Sequence, residues 1–179
     1  DGVLLPGNMR TLPTLLSKLR DELLLRRLFN LRYLGRSHVE TLPEQVEPFE
    51  VEAVPGSFML LRTVAGREID FFDDNLFLYS DDTDICRRLA QANWKVYYAP
   101  AVSIVHLGGR STAKASAKAP YYYYRSEDYY FCKHHSRFSL IGYRVAVVLG
   151  CALRALALGL PSGVRRWGRG RDGGGYLRV

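Results

Sequence analysis

The sequence predicts an α/β fold, on three observations. Apolar residues make up 47% and charged residues 24% of the 179 positions, the balance of a globular chain long enough to bury a core. A helical pattern from about Asp82 to Ala92 is preceded by the strand-like run "SFMLLRTV" and followed by the strand-like runs "KVYYA" and "VSIVHL". Strand, helix and strand in succession give an α/β layer.

The elements follow in chain order. After the turn-rich "DGVLLPGNMR", the run "TLPTLLSKLRDELLLRRLFNLRYLG" places Leu12, Leu16, Leu19 and Leu23 at helical spacing with Arg and Lys on the other faces. Pro43, Pro48 and Pro55 punctuate an acidic and apolar stretch that suits a loop entering an edge strand. "SFMLLRTV" reads as a buried strand that ends in a turn at Gly66. In the helix that follows Asp81, Ile85, Leu89 and Ala92 share one face while Arg87, Arg88 and Gln91 point elsewhere. A Gly, Ser, Ala and Lys-rich loop leads to the cluster "YYYYRSEDYYFCKHH", read as a helix, and then to the apolar run "SLIGYRVAVVLGCALRALALGL". That run approaches the length of a membrane span but carries Arg144 and Arg154, each costing about 2.5–3.5 kcal/mol at a bilayer centre, so a helix lying on the membrane is expected over one crossing it.

Charge and cysteines bound the function. Net charge is +7, and the final "PSGVRRWGRGRDGGGYLRV" holds five arginines against one aspartate, which predicts a mobile basic tail drawn to anionic surfaces. Cys86, Cys132 and Cys151 are odd in number and widely spaced, so neither a disulfide framework nor a zinc knuckle is expected, and a reducing compartment is the default. No nucleic-acid recognition motif accompanies the positive charge, and no nucleic-acid partner is expected.

The stretch "FLYSDDTDICRRLAQANWKVYYAPAVSIVH" carries the chemistry. Asp81, Asp82 and Asp84 crowd a helix start, where the backbone dipole stabilises their ionised forms, and a capping role alone would account for them. A carboxylate there could equally take a proton from an attacking hydroxyl if it faces a cleft. His106 is followed by "LGGRST", whose backbone amides can approach a phosphate and whose Arg110 can pair with it. P-loop spacing is absent, and the "CKHH" at Cys132–His135 is set aside because adjacent histidines on a helix point in different directions. A metal-dependent phosphoesterase would need a second histidine at ligand spacing, which the sequence does not offer.

The array "VPGSFMLLR", "FFDDNLFLYSDDTDICRRL", "WKVYYAPAVSIVHLGGRS" and "YYYYRSEDYYFCKHH" resembles, in order and spacing over roughly residues 50 to 135, the C-terminal half of a family 2 glycosyltransferase of the bacterial rhamnosyltransferase and galactofuranosyltransferase type. The resemblance implies the C-terminal portion of a GT-A fold, with the nucleotide-binding half and its Asp-x-Asp motif expected upstream of Asp1. It implies Asp82 as catalytic base beside Asp81, which stands where the family usually has glutamate. It implies Gly56, Ser57, Asp84, Arg110, Ser111 and the Tyr124–Arg125 pair as donor or acceptor contacts, with Asp84 alternatively supporting the helix start. His106 matches a metal ligand, and the implied cofactor is Mn²⁺ or Mg²⁺ with its other ligands upstream. One departure is clear: where relatives have Gly-Gly-Phe-Asp, this chain has Asp70, Phe71, Phe72 and Asp73.

The implied organisation is a partial, acceptor-side GT-A domain over 1–135, an apolar and membrane-associated helix over 136–160 and the basic tail over 161–179. The implied function of the parent protein is inverting transfer of a sugar such as rhamnose from a nucleotide-sugar donor to a glycan or polyprenyl-linked acceptor, in cell-wall polysaccharide synthesis, by an enzyme peripheral at the cytoplasmic face of the membrane. The isolated chain is expected to be inactive. The alternative is a non-catalytic module that uses its basic helices and tyrosines to bind an anionic membrane surface or a polysaccharide.

Overall fold

The computed structural model describes residues 3–4, 10–23, 47–102, 104–106, 118–159 and 177–178. Its elements are β1 (Val3–Leu4), α1 (Leu15–Glu22), β2 (Phe49–Val51), α2 (Thr63–Glu68), α3 (Asp81–Gln91), β3 (Val96–Tyr98), β4 (Val105–His106), α4 (Ala119–His134), α5 (Arg137–Gly159) and β5 (Leu177–Arg178). This mixture of helices and short strands agrees with the α/β class. β2 and β3 pair antiparallel with Phe49 opposite Tyr98, their rings 5.6 Å apart. β1, β5 and β4 form a second sheet, parallel at β1/β5 and antiparallel at β5/β4. Leu177–Arg178, which form β5, belong to the segment read from the sequence as a mobile tail.

The chain divides into two compact units, Asp1–Leu12 with Ser37–Tyr130 and Gly175–Val179, and Pro13–Arg36 with Phe131–Gly174. In the first, α3 supplies the core. Ile85, Cys86 and Leu89 pack with Ala53 and Ala65, and Leu12, Val54, Met59, Leu61, Ile69, Trp94 and Val96 close around them. Burial pushes the Cys86 thiol up to about 11, so it stays neutral within this core. α3 stops at a Schellman cap: Asn93 adopts the left-handed conformation (φ 63°), its N–H donates to the Ala90 carbonyl, and the Trp94 N–H donates to the Leu89 carbonyl. Asparagine tolerates that conformation better than most residues, which is why the helix ends here.

One expected element is replaced. "SFMLLRTV" is not a buried strand: residues 57–62 are irregular, Leu60 is 98% exposed, and Thr63 begins α2, which contains Gly66 instead of turning there. A second Schellman cap explains the helix. The Asp70 N–H donates to the Arg67 carbonyl, the Phe71 N–H donates to the Gly66 carbonyl, and the Phe71 ring lies where a side chain at Gly66 would be. Local helix closure thus overrides the strand preference of a short apolar window. Asp70 (φ 59°) and Phe71 (φ 47°) are both left-handed, although neither is glycine. This is the glycine-poor departure noted in the sequence, and it keeps a conformation that glycine would adopt without cost.

In the second unit α1 packs along α5. Thr14 and Ser17 form a reciprocal capping box that starts α1. Of the leucine stripe read from the sequence, Leu12, Leu19 and Leu23 are half-buried and Leu16 is half exposed, while the fully buried side chains are the polar Ser17, Arg20 and Glu22. The reason is polar pairing with α5, where Arg154 reaches the Glu22 carboxylate at 2.6 Å and the Glu22 carbonyl at 3.2 Å. Leu15 meanwhile packs over Gly142. Phe131 stacks on Tyr143 with ring centroids 4.6 Å apart and on His135 at 4.4 Å.

Candidate active site

The site is built on the N-terminus of α3. Tyr79 (φ 68°) and Ser80 (φ 61°) are consecutive left-handed residues, each held against a cost of about 1–2 kcal/mol. Ser80 stands at the cap position but does not cap. Its hydroxyl instead donates to Glu127 Oε1 of α4 at 3.0 Å, a buried bond that, with Ser126 Oγ donating to the Leu78 carbonyl at 2.8 Å, fastens the turn to α4. The aspartates take over the capping. Asp82 Oδ1 accepts from the Thr83 N–H at 2.8 Å and from the Thr83 hydroxyl at 3.2 Å. Asp81 accepts from its own amide and from that of Asp82.

Asp82 is also the meeting point of distant segments. Its Oδ2 accepts from the Gly56 N–H at 2.9 Å and from Arg10 Nη1 at 3.1 Å. A side chain at Gly56 would stand 3.3 Å from Asp82 Cβ and 4.0 Å from Asp81 Oδ2, so only glycine gives the backbone this approach without forcing the aspartates to move. Arg10 is held in turn by a two-way backbone bridge to Ala53, three residues before Gly56. With four donors on two oxygens, the Asp82 carboxylate is fixed in one orientation and its hydrogen-bonding capacity is filled. Asp81 differs: it is half-buried, and desolvation followed by the neighbouring Asp82 charge raises its pKa above the ordinary aspartate value.

The other sequence-predicted residues separate. Asp84 has no exposed surface. Its Oδ2 accepts from Arg88 Nε at 2.7 Å, and the same guanidinium donates to the Ile69 and Phe71 carbonyls, so Asp84 supports the helix and the 69–71 turn and has no face to offer an acceptor. Ser57 is exposed next to Gly56. Arg125 lines a small cleft with Asp74, Asn75, Phe77, Tyr122 and Ser126. His106 lies in β4 in register with Leu177, but its side chain, together with Arg110 and Ser111, lies outside the described residues.

Among the described residues no three His, Cys, Asp or Glu side chains converge. Since the oxygens of Asp82 are already engaged by four protein donors, the described residues do not by themselves fit a divalent ion. Arg10, Ser80, Glu127 and Arg88 were not singled out from the sequence. Arg10 is 72 residues from its partner, and no local pattern marks it; Glu127 could be noticed only as a carboxylate among tyrosines.

Comparison with known proteins shows the family. Residues 17–167 match glycosyl transferase family group 2. Over 95 residues, 52% of the chain, it is 30% identical to N-acetylglucosaminyl-diphospho-decaprenol L-rhamnosyltransferase of Mycobacterium tuberculosis, in both strain CDC 1551 and strain H37Rv. It is also 30% identical over 83 residues, 46% of the chain, to rhamnosyltransferase WbbL of Escherichia coli K12. Each match covers 31% of the relative's length. No solved structure matches the chain. With the family match extending over most of its length, the chain belongs to the family 2 glycosyltransferases.

Proposed function

We propose that the chain forms the acceptor-activating part of an inverting GT-A glycosyltransferase, with residues 1–135 as the acceptor-side domain and the nucleotide-binding half outside this sequence. The sugar is rhamnose, the donor a nucleoside-diphosphate sugar and the acceptor a polyprenyl-diphosphate-linked glycan. The names of the relatives support this choice of sugar and acceptor. The observation that carries the reading is the adjacent carboxylate pair Asp81–Asp82, presented on a strained helix start against the bare backbone of Gly56.

In the reaction the acceptor oxygen bonds to the anomeric carbon as the bond from that carbon to the diphosphate oxygen breaks. The electron pair leaves with the diphosphate, and the hydroxyl proton passes to a carboxylate. Asp82 is that base. Thr83 and the Gly56 amide orient it, and Arg10 pairs with it until substrate arrives. Of its four donors the Arg10 side chain, about one-third exposed, is the one able to yield to a substrate hydroxyl. A second reading assigns the proton to Asp81, which is the more exposed of the two and whose pKa burial and the neighbouring Asp82 charge raise above the ordinary aspartate value.

Single-turnover rates of Asp82→Asn and Asp81→Asn in the complete transferase separate these roles. With Asp82 as base, Asp82→Asn loses at least about a hundredfold in rate while donor affinity is kept. A near wild-type rate for Asp82→Asn together with a collapsed Asp81→Asn rate transfers the role to Asp81. Full activity in both variants removes the proposed chemistry.

A further inference from the structure

α5 has two unlike sides. One is occupied by α1, through Leu15 on Gly142, the Glu22 carbonyl on Gly150 and the Arg154–Glu22 ion pair. On the other, Phe138, Ile141, Val145, Val148, Leu149 and Leu156 are exposed and recur at helical spacing as one continuous ridge. Arg137 and Arg144, both exposed and two turns apart, run along one edge of that ridge. The helix contains no carboxylate from end to end, and the exposed Lys133 precedes it.

Residues 137–156 are long and apolar enough to cross a bilayer. Their packing opposes it. A crossing α5 would carry α1 with it and bring Ser17, Arg20 and Glu22 into hydrocarbon, where polar groups are costly. An apolar ridge with a cationic edge is instead the surface of a helix lying in the headgroup region. An apolar ridge edged by Arg137 and Arg144, on a helix without a carboxylate, is complementary in charge to anionic lipid phosphates.

The geometry points to α5 as an in-plane membrane anchor. Its 138–156 ridge enters the headgroup and acyl boundary of an anionic bilayer, and α1 remains on the aqueous side. This goes beyond the transferase reading and stands or falls independently of it.

Flotation of the 179-residue chain with phosphatidylglycerol-containing vesicles, and with pure phosphatidylcholine vesicles for comparison, tests the anchor. The expected result is flotation with the anionic vesicles and release by alkaline carbonate. Val148→Asp lowers the bound-to-free ratio by at least about tenfold. Arg144→Glu weakens binding to the anionic vesicles and leaves the weak binding to neutral ones unchanged. Unchanged flotation of Val148→Asp overturns the proposal. Carbonate-resistant binding overturns it in favour of a crossing helix, and a lipid-free dimer that Val148→Asp dissociates overturns it in favour of a second copy. Should circular dichroism show Val148→Asp unfolded, Phe138→Ser, at a position 88% exposed, carries the same test.

Discussion

α3 and α5 break the rule of apolar inside and polar outside in opposite directions. α3 buries Asp82, Thr83 and Asp84 beside Ile85, Cys86 and Leu89. α5 exposes a row of large apolar side chains while the ion pair of Arg154 with Glu22 sits in its packed side. Folding alone favours neither arrangement, since burying charge costs free energy and exposed apolar surface gains none. The two helices meet these costs differently: the acids of α3 are satisfied by Arg10, Arg88 and nearby amides, whereas the ridge of α5 stays open.

The contrast is sharpest at two positions. Asp84→Ala leaves the Arg88 guanidinium without its carboxylate and costs about 3 kcal/mol, whereas Val148→Ser on the open ridge stays within about 0.5 kcal/mol of the parent. Urea unfolding of the two variants measures both, and equal losses would erase the distinction between the helices. Next in size is Gly150→Ala, whose added methyl group would collide with the Glu22 carbonyl. Forcing α1 and α5 apart costs about 1–3 kcal/mol in the same experiment, and a neutral outcome would show the two helices to be loosely joined.

The smallest effect concerns the sign of a pH dependence. The Asp81 pKa is raised above 3.8 in the folded chain, so the folded state favours its protonated form. That contribution is fully present below pH 3.8 and is lost as pH rises through the folded value. Asp81→Asn should therefore stabilise the fold at pH 7, by less than about 1 kcal/mol because the group is half-exposed, read as a higher thermal midpoint, and the gain should vanish in acid. A gain that persists in acid would mean that the carboxylate is not the source.

Local chemistry was legible in the sequence, and long-range chemistry was not. The start of α3 at the aspartates, the strand at Val96–Tyr98, the tyrosine helix and the apolar helix all announce themselves through spacing within a dozen residues. The family resemblance marks Gly56 as a small pocket-lining residue, and its approach to the Asp82 carboxylate emerges only in the fold. "SFMLLRTV" misleads because its composition suits a strand, while the outcome depends on the left-handed cap at Asp70, which no glycine marks. Arg10 on Asp82 and Glu127 on Ser80 join segments 72 and 47 residues apart, and nothing short of the fold brings them together. On α1, the burial of Glu22 follows from its pairing with Arg154, 132 residues away, which no leucine pattern predicts.

Arg88 ties the 69–71 turn to α3. One guanidinium holds the carbonyls of Ile69 and Phe71 while paired to Asp84, so the two non-glycine residues in left-handed geometry are tolerated only under its restraint. A lysine could not grip three acceptors in a plane. The positions are thus epistatic. Glycine at positions 70 and 71 should therefore make the fold more tolerant of losing Arg88 than the parent chain is.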